Sequence, residues 1–126
     1  MNDVACALTT TVLTENTPRE GLRAEHGLSL HLCYAHAGTL TNLLLDFGQS
    51  DAFARNAAML GVDLGLVDMA VLSHAHYDHA DGMPAFFEMN DHARLFLCEA
   101  CAENCWSTRG GTIGRHYIGI RPGLLD

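Results

Sequence analysis

Val71-Leu72-Ser73-His74-Ala75-His76-Tyr77-Asp78-His79-Ala80-Asp81-Gly82-Met83 is the stretch on which the reading of this chain turns. An apolar run ends at Ser73, and three histidines and one aspartate then fall within residues 74–79. Imidazole nitrogen and carboxylate oxygen both bind zinc well, at ~2.0–2.2 Å. So many donors in so short a loop exceed the needs of one tight tetrahedron. Two adjacent cations suit the spacing better, with His74 and His76 facing one and Asp78 and His79 facing the next. Ions ~3.5–4 Å apart can share a bridging hydroxide whose parent water is activated near neutral pH. A ligating histidine also wants an acceptor on its other ring nitrogen, to fix its tautomer. Asp46 is the candidate for that task.

Working outward, Met69 to Leu72 reads as a short buried strand feeding the histidine cluster. Asn42-Leu43-Leu44-Leu45-Asp46 is a second apolar strand, ending at a carboxylate. Both Asp46 and His74 thus fall where a strand ends, the place where a sheet holds side chains rigid while solvent can enter. Upstream, Leu28, Leu30, Leu32 and Tyr34 alternate with Ser29, His31 and Cys33, the pattern of a half-buried strand, and a turn follows at Gly38. Val4 to Leu13 is rich in β-branched residues and reads as a strand, while Thr14 to Glu25, with Pro18 and Gly21, reads as a loop. Ser50 can cap a helix with Asp51 in its first turn; Phe53, Ala57 and Leu60 lie along one side, and Gly61 is the stop signal. Pro84 suits the start of a helix running to Glu88, with Asp81 as its N-cap. Arg94 to Leu97 is a further strand, followed by a short helix around Cys98 to Cys105. From Ser107 on, the Gly-rich sequence carries no readable element. Strands come first and then alternate with helices, which predicts an α/β or α+β layered fold.

The chain has 126 residues, a common size for one domain, so 1–126 is read as a single unit. With 48% hydrophobic and 17% charged residues it belongs among globular chains. Its formal charge of −8 repels phosphate backbones, which argues against a nucleic-acid partner and suits bound divalent cations. No apolar run reaches the ~20 residues of a membrane span, and Met1-Asn2-Asp3 lacks the basic start of a secretory signal. Five irregularly spaced cysteines point to reduced thiols and a cytoplasmic home. Among them, Cys98, Cys101 and Cys105 share one face of a helix and read as packing before zinc ligation. His31, His36, His92 and Trp106 read as structural, and His116, beside Arg115 and Tyr117, as a surface histidine.

The string VLSHAHYDHADGM resembles the signature of the metallo-β-lactamase-fold superfamily: an apolar strand, then His-X-His-X-Asp-His, then a glycine-bearing turn. LLLDFGQSDAFARNAAMLGVDL resembles the family's Leu-Asp-X-Gly strand end and following helix. LTENTP, EHGLSL and SHAHYDH together are most similar to the dihydropterin synthase-like branch, associated with methanopterin biosynthesis. The resemblance runs from Val12 to Ile120. It implies an αββα sandwich, with His74 and His76 on a first metal, Asp78 and His79 on a second, and Asp78 orienting the bridging hydroxide. Glu25, His26 and Ser29 fall within the EHGLS string and become pocket candidates. Family members hydrolyse esters, thioesters, amides or phosphate esters, and some perform redox or transfer chemistry.

Two departures stand out. Ala80-Asp81-Gly82 keeps one glycine where the family's turn has two. The family's later histidine and acidic ligands, from a C-terminal half, have no counterpart before Asp126. The expectation is therefore the N-terminal half of the sandwich, with one sheet face exposed and self-association through it. The function expected is that of a hydrolase or transferase acting on a small molecule through one or two zinc ions, manganese or iron being equally suited to these ligands. The alternatives are a metal-binding fragment without turnover, and an interaction module whose open sheet pairs with a partner.

Overall fold

The computed structural model describes residues 5–108 and 116–126. Met1 to Asp3, Val4 at the head of the first expected strand, and Arg115 beside His116 lie outside the described residues. Three antiparallel strands open the fold: β1 (Cys6–Thr14), β2 (Ser29–His36) and β3 (Thr39–Leu45). The β2–β3 turn is Ala37-Gly38, with φ of 49° and 77°. Two successive positive-φ residues give a primed turn, whose twist matches that of the flanking strands. Next comes α1 (Ala52–Leu60), and then β4 (Met69–Val71), which lies parallel to β3. The short α2 (Tyr77–Ala80) and α3 (Met83–Met89) precede β5 (Arg94–Phe96), parallel to β4. A separate pair, β6 (Trp106–Ser107) and β7 (His116–Tyr117), closes the described chain. The main sheet is ordered β1-β2-β3-β4-β5, and no described helix is long and apolar enough to cross a membrane.

Helix α1 stops as expected: Gly61 takes the left-handed conformation at φ 73° and its N–H returns to the Ala57 and Ala58 carbonyls. Ser50 Oγ accepts from Ala52 N at 3.1 Å, while Asp51 forms an ion pair with Arg55 one turn on. Phe53 and Ala57 are buried, but Leu60, expected on the same side, is exposed in the last position of the helix. The buried Asn56 sews α1 to the preceding loop, donating to the Leu13 and Arg23 carbonyls and accepting from Arg23 N. A β-bulge between Val12 and Thr14 turns Leu13 into the core.

Cross-strand register divides the sheet into two unlike faces. Leu44 and Ala70 lie on the face beneath the helices and are fully buried with Phe47, Phe53, Val67 and Phe86. The opposite face carries Leu8, Val12, Leu30, Leu32, Tyr34, Leu43, Leu45, Met69, Val71 and Phe96 in paired positions. No described element covers it: Leu8, Val12, Tyr34 and Phe96 are exposed and the others half-buried. In β2 the buried face is therefore the one bearing Ser29 and His31, with His31 Nε2 3.1 Å from Asn42 Oδ1. Its leucines point to the open side. The parity follows from β3, which must turn Leu44 and Asp46 toward the helices.

Asp81 does not cap α3. It ends α2, and its Oδ1 accepts from Arg121 N at 2.7 Å, while Gly82 occupies the cap. Gly82 is required for room: a Cβ there would sit 1.9 Å from the Phe47 carbonyl oxygen and 2.6 Å from that of Ser50. Backbone atoms cannot step aside as a flexible side-chain end can. Gly82→Ala is expected to lower folding stability by about 1–3 kcal/mol or more, read as a fall in the urea midpoint. An unchanged midpoint would show that the α2–α3 junction is not packed this tightly.

Candidate metal centre

Asp46 stands at the end of β3, and its N–H continues the ladder to the Val71 carbonyl. Its φ of 60° is left-handed, a conformation that costs an ordinary residue ~1–2 kcal/mol and that Asp tolerates best after Gly and Asn. That turn drives the carboxylate under the histidine loop, where the residue is 1% exposed. Ser73 N donates to Asp46 Oδ1 at 2.7 Å, Ser73 Oγ–H donates to Oδ2 at 2.6 Å, and His79 Nδ1–H donates to Oδ2 at 2.7 Å. Because the Ser73 proton is committed to Asp46, its Oγ accepts from His74 Nδ1, 2.7 Å away. Both His74 and His79 then carry their proton on Nδ1 and keep a lone pair on Nε2.

The rings meet. His74 lies 4.5 Å from His76 and 4.2 Å from His79 between centroids. Asp46, His74 and His79 each offer a metal-capable atom within 4.8 Å of the others. Since Asp46 Oδ2 sits only 2.7 Å from a protonated ring nitrogen, its immediate role in this network is that of an acceptor holding the ring. Asp78 is buried, with Oδ2 3.5 Å from His79 Nε2 and 3.1 Å from His26 Nε2. Burial, then the neighbouring charges of His79 and His76, lower the pKa of His74 below its ordinary 6.5. That keeps a potential ligand neutral.

The loop is braced by chain that the sequence left unread. Tyr77 N donates to the Ile118 carbonyl, and His76 forms an isolated antiparallel bridge with Gly119. Tyr117 Oη–H in turn donates to the Ile120 carbonyl at 2.6 Å. Nothing in the composition of 116–121 marks it as a brace, because its hydrogen bonds run through the backbone.

The Glu25 carboxylate accepts from Gln49 N, Ser50 N and Ser50 Oγ. Ser29 is fully buried, and its Oγ has no hydrogen-bond partner among the described residues. Cys101 is buried in the core and its thiol is pushed up chiefly by that burial, while Cys98 is exposed. Among the described residues, the cysteines form no convergent donor group.

No family model and no curated protein matches this chain. Solved structures do. Tm1679, a metal-dependent hydrolase of the beta-lactamase superfamily, superposes with a TM-score of 0.66 and 28% identity over 91% of this chain. The chain has a partial metallo-β-lactamase fold. It spans 37% of the length of Tm1679. Weaker likenesses, with TM-scores of 0.46 and 0.44 and 23% identity each, are to metallo-beta-lactamases from Cronobacter sakazakii (a HARLDQ-motif mutant) and Novosphingobium pentaromativorans (MIM-1). They cover 59% and 56% of this chain, and 32% and 25% of their own. Within this fold Asp46, His74 and His79 form a group that could hold a metal ion.

Asp46→Asn keeps the size and the tolerance of left-handed backbone but weakens acceptance from His79. It is expected to cost about 1–3 kcal/mol in urea unfolding and ~10–100-fold in zinc affinity; unaltered affinity would refute the holding role. A pH dependence follows from His74. Its folded-state pKa lies below the unfolded value, so its contribution to stability is complete above pH 6.5 and is lost as pH falls through the lower, folded value. In the metal-free protein, His74→Gln should flatten the fall of the urea midpoint below pH 6.5; an unchanged slope would contradict the assignment.

Proposed function

We propose that this chain forms the metal-binding part of a hydrolase of metallo-β-lactamase type, with His74, His76, Asp78 and His79 as ligands to one or two zinc ions. The observation that carries this reading is the pair of tied-off rings. His74 and His79 both spend Nδ1 on the Ser73–Asp46 network and keep the Nε2 lone pair, with their ring centroids 4.2 Å apart. Imidazoles with one carboxylate suit zinc, and also manganese or iron. Bound there, such a cation supplies polarisation of a substrate oxygen and a water activated near neutral pH.

The chain's own residues do the rest. Asp46 and Ser73 hold two rings in one tautomer, so binding a cation does not first require reordering them. Asp78, buried beside His79, would orient an attacking water. A charge of −8 favours a small substrate over a polyanion such as nucleic acid. The EHGLSL and SHAHYDH strings support a dihydropterin synthase-like specificity, and with it keep group transfer beside hydrolysis. Five unpaired cysteines fit a reducing compartment such as the cytoplasm.

One observation favours a second reading, cation binding without turnover: a single group of three convergent donors is found among the described residues. Elemental analysis of the purified protein, then a panel of ester, thioester and phosphodiester substrates, separates the two. The expected result is bound zinc with metal-dependent turnover that His76→Ala reduces at least ~100-fold. Metal without turnover across the panel supports the second reading, and a chain that takes up no divalent metal overturns both.

A further inference from the structure

We propose that His26, preset by Asn16, is a positioning residue that fixes the carboxylate of Asp78 for cation binding. This rests on the metal reading above and adds a component from a loop about fifty residues upstream in sequence. Asn16 Oδ1 accepts from Gly27 N at 3.1 Å, which turns its amide nitrogen toward His26 Nδ1, 3.0 Å away. An amide nitrogen only donates, so His26 Nδ1 accepts and the ring proton resides on Nε2. Nε2 lies 3.1 Å from Asp78 Oδ2.

His26 thus has the opposite tautomer to His74 and His79. It has no lone pair left for a cation and one proton to give. The division of labour is set by the partner on Nδ1: an acceptor for the two motif rings, a donor for His26. Asp78 Oδ2 also lies 3.5 Å from His79 Nε2. With its proton on Nδ1, His79 has none on Nε2 to give to this oxygen, so the proton that reaches Asp78 comes from His26.

His26 is largely exposed, and a free imidazole in water would gain little from such a pair. Its loop, however, is docked on both flanks. Leu28 N approaches the Asp78 carbonyl at 3.4 Å, and a Cβ at Gly27 would lie 2.3 Å from that same oxygen. On the other side, Glu25 clamps the backbone of Gln49 and Ser50. The loop therefore brings the ring to Asp78 from a docked backbone.

The test is zinc affinity of the metal-free protein, by competition with a chromophoric chelator, for the parent, His26→Ala, His26→Gln, Asn16→Ala and the Asn16→Ala/His26→Ala double variant, alongside thermal melts without metal. Expected are a ~10–100-fold loss for His26→Ala, a melting temperature close to the parent's, and recovery of most of the loss in His26→Gln, whose amide can still donate. Asn16→Ala should lose less, and nothing further once His26 is gone, because it acts through that ring. Parent-like affinity in His26→Ala overturns the positioning role and leaves the metal reading standing. Loss in both His26 variants alike also overturns it, since the imidazole would then be needed for more than a donated proton. Failure of the parent to bind zinc overturns the metal reading, and this role with it.

Discussion

The buried carboxylate of Asp46 joins two pieces of chain that meet nowhere else in the same way. It closes β3, and through Ser73 N, Ser73 Oγ and His79 Nδ1 it fixes both ends of the histidine loop. A loop of histidines would otherwise fan into solvent, because imidazoles repel one another once protonated and pack weakly when neutral. One acceptor with four lone pairs, almost wholly removed from water, converts that loop into a site. Its backbone strain is the cost of aiming it, the kind of cost that structures keep where a side chain has a task.

Around that anchor the site is built by close backbone approach. Gly27 lets residues 27–28 press against Asp78, and Gly82 lets the α2–α3 junction press against residues 47–50. The C-terminal segment then runs beside Tyr77 and His76 and supplies the last contacts. Histidine chemistry here is set by neighbours more than by sequence position. Ser73 and Asp46 make two rings into lone-pair donors, and Asn16 makes a third into a proton donor.

Much of this was legible in the residues. Alternation and turn chemistry place β2, β3, α1 and its Gly61 stop, because those signals are local. The His74 to His79 cluster and its acceptor Asp46 are readable because both sit at the ends of apolar strands. Three things were not legible. Which face of β2 is buried depends on the parity of β3, a non-local fact, so Ser29 and His31 turn inward where the leucines were the natural choice. Asp81 looks like a cap from its spacing, yet it serves Arg121, forty residues on. The brace at 116–121 works through main-chain atoms, which leave no trace in side-chain identity.

The open face of the sheet has a thermodynamic corollary. Leucine, valine, methionine and phenylalanine side chains on five strands stay in contact with water, so burial from one side alone supplies the hydrophobic driving force. A second molecule resting there would engage the folded form and not the unfolded one. By mass action, such binding would make the apparent stability rise with that molecule's concentration.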